Sequence, residues 1–356
     1  MKAIAINGAT LFESGMVGIK RNTLELLKQL DDIVEKGEIY ILVPRNTKTE
    51  YYKNIEIVEL PNSIRSAKNK YLRRLHLMKW LYRDVRKGAS TVNAVAVDTL
   101  LQFPLGCEAI MIYDCIPELF PECFSDRKGR LFRMKLGAKQ KRAIKRAKLI
   151  MTDSYSALND ISRVYNVQKE KMKVIPCAWD HFLRIKEDES ILNDLTIKRG
   201  EYFFSLGHSM QHKNLKWVFE AAKQNPDEMF VVSGEPDPYL KGKELSNLVF
   251  SGKLNDGQMK ACMKNCKAFI LPSLYEGFGI PPMEAMSVGA DCIVSNTGSL
   301  PEVYKKSVWF IDPYDYTNID LKEIMQAEKE PNEVILSEYR WEKSARAFLN
   351  EVKELR

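Results

Sequence analysis

The stretch Leu271-Pro-Ser-Leu-Tyr-Glu-Gly-Phe-Gly-Ile-Pro-Pro-Met-Glu-Ala-Met-Ser-Val-Gly-Ala290 is the most informative part of this 356-residue chain. It begins at the end of an apolar run, passes through a glycine-containing loop and reaches Pro281-Pro282, which suits the start of a helix. Gly277 and Gly279 allow the backbone to approach a ligand closely, and amides at a helix N-terminus favour an anion such as a diphosphate. The stretch therefore predicts a strand, an anion-binding loop and a helix.

Two carboxylates frame that loop, Glu276 at its start and Glu284 in the first turn of the helix. Carboxylates beside a phosphate site are unfavourable unless they accept hydrogen bonds from hydroxyl groups, which indicates a sugar and a ribose. The structural alternative is that Glu284 complements the helix dipole and that Glu276 is a surface residue of the loop.

Around this stretch, short apolar runs alternate with longer segments of helical period, which is typical of βα units and parallel sheets. Strands are predicted at residues 3–7, 39–43, 55–60, 94–97, 109–113, 149–152, 173–175, 202–205, 229–233, 248–251, 268–271, 292–295 and 308–311. Helices are predicted at residues 18–30, 70–86, 130–146, 156–165, 215–223, 256–264, 283–288, 321–328 and 341–355. A charged stretch without periodicity, 182–200, has the character of a linker. The pattern predicts an α/β protein with two Rossmann-like, doubly wound parallel-sheet domains and an active site in the cleft between them.

The charge is divided unevenly along the chain. Residues 1–180 carry a net charge of +12 and residues 181–356 a net charge of −5, which leave +7 overall. Most of the excess lies in residues 65–87 and 126–148, and the first of these segments interleaves basic with apolar side chains. Such a segment suits a helix at an anionic membrane surface, and it equally suits a solvated helix packed on its own sheet. Nucleic acid is the weaker interpretation, because no zinc-finger, RRM or KH signature accompanies the charge.

Composition excludes several classes of protein. The longest stretch without Asp, Glu, Lys or Arg is eleven residues, against the ~20 that a membrane-spanning helix needs. The N-terminus reads as a first strand rather than a signal peptide. Seven irregularly spaced cysteines without a C-x-x-C pair suggest reduced thiols, so we expect a cytoplasmic protein, peripheral at most on the inner face of a membrane.

The stretch quoted above closely resembles the donor-site signature of the retaining glycosyltransferases of family 4, also described as glycosyl transferases group 1. The signature is a Glu, seven residues and a second Glu, in the setting Pro-Ser-x-x-Glu-Gly-Phe-Gly-x-Pro-x-x-Glu-Ala-Met, and the likeness continues to Trp341. The resemblance implies the two-domain GT-B fold. It also implies that Glu276 contacts the transferred sugar, that Glu284 holds the nucleotide ribose, and that the amides of Phe278, Gly279 and Ile280 meet the sugar and diphosphate.

Upstream, Phe204-Ser-Leu-Gly-His-Ser-Met-Gln-His-Lys-Asn-Leu215 is similar to the strand, glycine loop and Lys-Asn helix start of that family. The resemblance implies that Lys213 neutralises the leaving diphosphate. The family usually has an Arg beside the glycine or the Lys, where this chain has His208 and His212. Two histidines four residues apart also fit part of a metal site, but no third ligand is evident and enzymes of this type need no metal, so no metal is predicted.

The first half resembles the family less closely. The glycine loop before the first helix implies that Gly18 lies beside the donor phosphates, although an ordinary strand-to-helix turn predicts the same glycine. In Met111-Ile-Tyr-Asp-Cys-Ile-Pro117, Asp114 is a candidate catalytic residue, and Tyr113 stands where several members have a His that touches the donor sugar. His76 and His181 are isolated in sequence, and we interpret both as structural or surface residues.

The resemblance implies a retaining, metal-independent hexosyl- or deoxyhexosyltransferase without a cofactor, whose donor is a UDP-, GDP- or dTDP-sugar. We expect an acceptor domain at residues 1–182, a donor domain at residues 183–335, and a C-terminal helix at residues 336–356 that packs back on the first domain. The basic first domain favours a lipid-linked saccharide acceptor and an anionic membrane surface, as in cell-surface polysaccharide assembly. Two alternatives stay open at this point: a sugar-nucleotide epimerase of the same fold, and a non-catalytic basic protein that binds membrane or nucleic acid.

Overall fold

The structure, a computed structural model, contains two parallel β-sheets. It describes residues 3–8, 11–12, 18–43, 46–59, 95–99, 107–207, 210–236, 240 and 242–355. The strands of the first sheet are β1 (Ile4–Asn7), β2 (Ile39–Val43), β3 (Glu56–Glu59), β4 (Val95–Asp98), β5 (Ala109–Met111), β6 (Leu149–Thr152) and β7 (Met172–Val174). Those of the second are β8 (Tyr202–Leu206), β9 (Met229–Ser233), β10 (Leu248–Phe250), β11 (Ala268–Leu271), β12 (Cys292–Ser295) and β13 (Trp309–Ile311).

Both sheets are doubly wound. Their strand orders are β3-β2-β1-β4-β5-β6-β7 and β10-β9-β8-β11-β12-β13, and neighbouring strands pair in parallel. The order reverses beside β1 in one sheet and beside β8 in the other, and ligands of such sheets bind outside the carboxyl ends of the strands at that point. The predicted α/β class with two Rossmann-like sheets is confirmed, and each predicted strand is present within two residues of its predicted ends.

The central strands are apolar runs because they are buried on both faces of each sheet. Every residue of β11 and β12 is buried, as is every residue of β1 and β6. Burial on both faces removes the alternation of polar and apolar residues that a half-exposed strand shows, which is why uninterrupted apolar runs located these strands.

Helices connect the strands. Their bounds are Gly18–Ile33, Ile116–Leu119, Arg127–Arg146, Tyr155–Tyr165, Ser190–Asp194, Leu215–Gln224, Asp256–Asn265, Pro281–Met286, Leu300–Tyr304, Leu321–Ile324, Asn332–Glu338 and Trp341–Lys353. Short 3₁₀ turns lie at Pro121–Phe124, Lys169–Lys171, Asp180–Arg184 and Gln211–Lys213. The helix predicted at 70–86, with His76, lies outside the described residues. None of the helices among the described residues has the length and apolar character needed to cross a membrane.

Side chains fix where several of these helices begin. Asp126 accepts a hydrogen bond from the backbone N–H of Gly129 at 2.8 Å, and Ser154 accepts one from Ala157 at 3.0 Å. Asn255 and Gln258 form a reciprocal capping box. Each oxygen satisfies a backbone donor that has no partner within its own helix, so the strand-to-helix turns at the carboxyl edges are well defined.

The end of the chain packs against its beginning. Helix Trp341–Lys353 lies on helix Gly18–Ile33, and its Trp341 and Phe348 are buried in a hydrophobic cluster that includes residues of both halves. Lys353 adds an ion pair with Glu38 at 2.8 Å. The segment predicted as a linker contains the short helix Ser190–Asp194, which packs on helix Asp256–Asn265. The domain boundaries at residues 182 and 335 stay a prediction.

Candidate active site

The loop after β11 is held in one conformation by local constraints. Gly279 has φ +84°, and a Cβ at that position would lie 2.5 Å from Leu300 Cδ2, so the position requires glycine. The Tyr304 hydroxyl donates to the carbonyl oxygen of Gly279 and accepts from the N–H of Met283 at 3.2 Å. These contacts connect the loop to the first turn of helix Pro281–Met286. They therefore fix the distance between the carboxylates of Glu276 and Glu284 on either side of the loop.

The first of these carboxylates, Glu276, forms a buried ion pair. Its two oxygens accept from Lys213 Nζ at 2.8 and 2.9 Å, and Oε1 also accepts from Ser273 Oγ at 2.6 Å. Burial acts to raise the pKa of the Glu276 carboxyl, but the charge and hydrogen bonds of Lys213 and Ser273 outweigh it and lower the pKa. Glu276 is therefore an anion beside a cation, next to a glycine-rich backbone.

The second carboxylate, Glu284, contacts a histidine that lies far away in sequence. Glu284 is buried, and its Oε1 lies 3.0 Å from His181 Nε2. On the other side of the ring, Trp341 Nε1 donates to His181 Nδ1 at 3.1 Å. His181, interpreted from the sequence as a structural or surface residue, is therefore buried rather than at the surface, and its ring contacts a predicted site residue directly.

The first sheet contributes the Tyr113–Asp114 loop, which follows β5. Asp114 Oδ1 accepts from the backbone N–H of Ile116 at 2.9 Å, while burial and the nearby charge of Glu276 raise the pKa of Asp114. The hydroxyl of Tyr113 lies 3.4 Å from Thr23 Oγ1, so the tyrosine ring is turned into the first sheet's own core. Its backbone, rather than its side chain, faces the second sheet.

The carboxyl edges of the two sheets meet at Gly277. A Cβ on Gly277 would lie 2.7 Å from the carbonyl oxygen of Tyr113 and 3.2 Å from Asp114 Cβ. The hydroxyl of Ser154, at the end of β6, donates to the carbonyl oxygen of Gly277 at 2.6 Å. The structure thus brings Asp114, Glu276 and Lys213 to one place, as a cleft site requires.

A further contact between the halves involves Glu302, at the start of helix Leu300–Tyr304. Its carboxylate oxygens accept from the backbone N–H groups of Tyr155 and Ser156, both at 2.8 Å. The side chain therefore completes the N-terminus of helix Tyr155–Tyr165, which belongs to the other half of the chain. Tyr275 adds a hydrogen bond to Asp160 Oδ2 in the same helix at 3.0 Å.

The other predicted donor-site residues lie around this centre. Gly18 begins helix Gly18–Ile33, and there is open space where its Cβ would be. Phe278 is buried edge-to-face against Tyr339, with ring centroids 5.4 Å apart, and Ile280 is half-buried at the helix start. The predicted roles of these residues stay predictions, because no ligand contact defines them.

Of the two histidines predicted to bind the donor diphosphate, the structure describes only His212. The ring of His212 is buried, with Nδ1 3.8 Å from Cys123 Sγ and its centroid 6.2 Å from that of Phe120, so it faces the first half of the chain. His208 lies outside the described residues. Among the described side chains, no group of three or more His, Cys, Asp or Glu is arranged to hold a metal ion.

Comparison with solved structures defines the fold class. Sucrose-phosphate synthase from Thermosynechococcus elongatus superposes with a TM-score of 0.71 at 14% identity, over 100% of this chain and 99% of that chain. WaaG, a glycosyltransferase involved in lipopolysaccharide biosynthesis, gives a TM-score of 0.62 at 15% identity over 98% and 95% of the two chains. With two facing Rossmann-like sheets, this protein has the GT-B fold.

Sequence comparison adds a family match in the second half of the chain. Residues 187–347 match the family model described as glycosyl transferases group 1. The chain is 27% identical over 219 residues to the O-antigen chain mannosyltransferase RfbU of Salmonella typhimurium, covering 58% of this chain and 57% of that protein. It is 30% identical over 236 residues to a serotype-specific mannosyltransferase WbdA of Escherichia coli, covering 60% of this chain and 28% of that protein. The matched part therefore spans little more than half of the first relative and a smaller share of the second.

Proposed function

We propose that this protein is a retaining glycosyltransferase that moves a sugar from a nucleotide diphosphate sugar to a hydroxyl group of a saccharide acceptor. The observation that carries the proposal is the Lys213–Glu276 ion pair beside the amides of the Gly277–Gly279 loop. The match of residues 187–347 to glycosyl transferases group 1 supports the same activity.

The chemistry follows from the charges of the site. Departure of the nucleotide diphosphate builds negative charge on its oxygens, and Lys213 with the loop amides is suited to stabilise that charge. Glu276 keeps Lys213 in place and stays ionised, so it can accept hydrogen bonds from sugar hydroxyls. In this proposal the leaving diphosphate itself helps to take the acceptor proton. No protein nucleophile and no metal are then needed.

The first experiment measures sugar transfer directly. Purified protein is incubated with UDP-, GDP- and dTDP-sugars and an acceptor extract, with mannose donors first because the two relatives described above are named mannosyltransferases. We expect Glu276→Gln to lower kcat by about a hundredfold or more, since such stabilising groups typically contribute that much. Glu342→Gln, in an exposed ion pair with Arg346 on the C-terminal helix, is the matched control and should retain full rate.

The same incubation separates the alternatives. A rearranged sugar released from the donor alone would identify an epimerase. A non-catalytic binding protein would show no sugar transfer with either the wild type or Glu276→Gln. Nuclear magnetic resonance of the product's anomeric proton tests retention, and inversion would contradict the proposed mechanism. An unchanged rate in EDTA is expected for a metal-independent enzyme.

We also propose that the acceptor is lipid-linked and that the protein works at the inner face of an anionic membrane. The segment 65–87, on which this idea first rested, lies outside the described residues. Helix Arg127–Arg146 supports it instead, because it carries ten basic and no acidic side chains. Its first half also exposes Leu131, Phe132 and Met134. Basic residues around exposed apolar ones are typical of helices that lie at anionic lipid surfaces.

Cosedimentation with vesicles tests this surface. The wild type should sediment with phosphatidylglycerol vesicles and not with phosphatidylcholine vesicles. Charge reversal of Lys128 and Lys135 together with Phe132→Ser should release it. The same number of reversals at the exposed Lys198 and Lys322 of the second half is the control. Equal effects of the two sets would show that overall charge, not this helix, causes any binding.

A further inference from the structure

His181 occupies a position that joins the candidate donor site to the end of the chain. It lies in the 3₁₀ turn Asp180–Arg184, where the chain passes from the first sheet towards the second. Its side chain is 4% exposed, and both ring nitrogens have partners, Glu284 on one side and Trp341 on the other. A buried histidine with two side-chain partners is held in one orientation, so the ring acts as a rigid spacer between them.

The two contacts also determine which ring nitrogen carries the proton. An indole N–H can only donate, so Nδ1 of His181 must accept from Trp341 and has no proton of its own. A neutral imidazole then carries its proton on Nε2, and this N–H donates to Glu284 Oε1 at 3.0 Å. The direction of the hydrogen bonds is therefore Trp341 to His181 to Glu284.

We propose that His181 is a positioning residue for the donor site. By donating to Oε1, it fixes the carboxylate plane of Glu284 so that Oε2 is presented to the donor. The inference rests on the proposed function, in which Glu284 accepts a hydrogen bond from the ribose of the nucleotide. A carboxylate that is already oriented binds a hydroxyl at a smaller entropic cost than one that must be ordered on binding.

The neighbouring contact of Asp180 separates this role from simple anchoring of the C-terminal helix. Asp180 Oδ1 accepts from the backbone N–H of Trp341 at 2.9 Å, so the start of helix Trp341–Lys353 has an attachment that does not involve Glu284. Loss of helix anchoring and loss of carboxylate orientation can therefore be produced by different substitutions of adjacent residues. Asp180→Ala removes the acceptor of the first contact and leaves the second in place.

The test compares nucleotide binding by two amide variants. The amide of His181→Asn lies near the position of Nδ1, so it can accept from Trp341 but is too short to reach Glu284. The amide of His181→Gln extends to the position of Nε2 and can donate to Glu284. Isothermal calorimetry of the wild type with UDP, GDP, ADP and dTDP first selects the nucleotide that binds most tightly.

With that nucleotide we expect His181→Asn to raise Kd about tenfold, which is the size of effect that loss of one charge-assisted hydrogen bond produces. His181→Gln and Asp180→Ala should stay within about threefold of the wild type, since both leave a donor at Glu284. Urea unfolding of each variant shows whether the comparison is made between folded proteins.

A double-mutant cycle with Glu284→Ala makes the result specific. If His181 acts through Glu284, the tenfold effect of His181→Asn disappears once Glu284 is Ala. Retention of the same effect in the Glu284→Ala background, or a folded His181→Asn variant with wild-type Kd, would overturn the positioning role and leave the proposed function standing. A wild type that binds none of the four nucleotides would overturn the proposed function and this role with it.

Discussion

Asp153 shows what a single buried carboxyl contributes at the edge of the first sheet. It follows β6, is 4% exposed, and its Oδ1 accepts no hydrogen bond from any described residue. Burial first, and the nearby charge of Asp114 second, raise the pKa of Asp153 well above its usual range. The group therefore holds its proton in the folded protein at pH values where it is ionised in the unfolded chain.

The substitution Asp153→Asn should stabilise the protein at neutral pH. Between the unfolded pKa of about 4 and the higher folded pKa, the unfolded state binds fewer protons, so the stability of the wild type falls as pH rises. Asn is neutral at every pH and has the shape of the protonated acid. We expect the variant's advantage in free energy of unfolding to grow with pH and to exceed about 1 kcal/mol at about pH 8.

Urea unfolding at about pH 5 and about pH 8 measures this difference. Asp188→Asn is the control, because hydrogen bonds from Ser190 lower the pKa of Asp188 and its contribution is lost as pH falls, which is the opposite trend. A constant difference between Asp153→Asn and the wild type across this pH range would contradict the assignment of a bound proton.

At the same scale, the site residues differ in how far sequence could locate them. Glu276 and Glu284 lie in one short motif with glycines and prolines, so their place at a strand–loop–helix turn was predictable from local spacing. His181 contacts partners 103 and 160 residues away, Glu284 and Trp341, and no local pattern marks it. Its contacts depend on how the chain folds back on helices Pro281–Met286 and Trp341–Lys353, which a single histidine in a charged stretch does not reveal.

Among the elements, length decided what the sequence could predict. The central strands were predictable because burial on both faces makes them uninterrupted apolar runs between turns. The helices Ile116–Leu119, Ser190–Asp194, Leu300–Tyr304 and Asn332–Glu338 were missed. Three of them have one turn or little more, and the longest has two, so helical periodicity cannot be recognised in them. Such short helices depend on tertiary contacts rather than on their own periodicity.

Glu302→Ala should destabilise helix Tyr155–Tyr165, although the two lie in different halves of the chain. The substitution leaves the N–H groups of Tyr155 and Ser156 without their carboxylate acceptor and removes a negative charge from the positive end of the helix dipole. We expect a loss of about 1–2 kcal/mol in the free energy of unfolding, measured in urea.

Glu342→Ala is the matched control for this element. It removes an equally sized carboxylate from an exposed ion pair, with Arg346 at 2.8 Å, and should cost about 0.5 kcal/mol or less. Equal losses for the two variants would show that the contact between Glu302 and the helix N-terminus contributes nothing beyond surface charge.

For the whole molecule, the arrangement of the two halves depends on contacts concentrated at the carboxyl edges of the sheets. Glu302, Ser154 and Tyr275 contribute hydrogen bonds there, and Arg21 and Asp256 add an ion pair at 2.8 Å on the rim. The predicted pair of Rossmann-like sheets was correct. The contacts that join the two halves could not be predicted, because each joins residues more than 100 positions apart.

Gly277→Ala should separate the halves at this contact. The new Cβ would lie 2.7 Å from the carbonyl oxygen of Tyr113, which is backbone and cannot rotate away, so one half must move relative to the other. Movement would lengthen the hydrogen bonds from Tyr155 and Ser156 to Glu302. We expect faster hydrogen exchange in the peptide that contains Tyr155 and Ser156, together with a lower transfer rate, while peptides within the two sheets are unchanged.

Gly289→Ala distinguishes this effect from ordinary backbone strain. Gly289 has φ +90° with no atom within 4 Å of the added Cβ, so the substitution costs about 1 kcal/mol through its backbone conformation alone. It should lower stability and leave exchange at Tyr155 and Ser156 as in the wild type. If Gly277→Ala also leaves that exchange unchanged, the two halves do not depend on the Gly277 contact for their arrangement, which then rests on the remaining contacts, such as Glu302 with helix Tyr155–Tyr165 and the C-terminal helix on Gly18–Ile33.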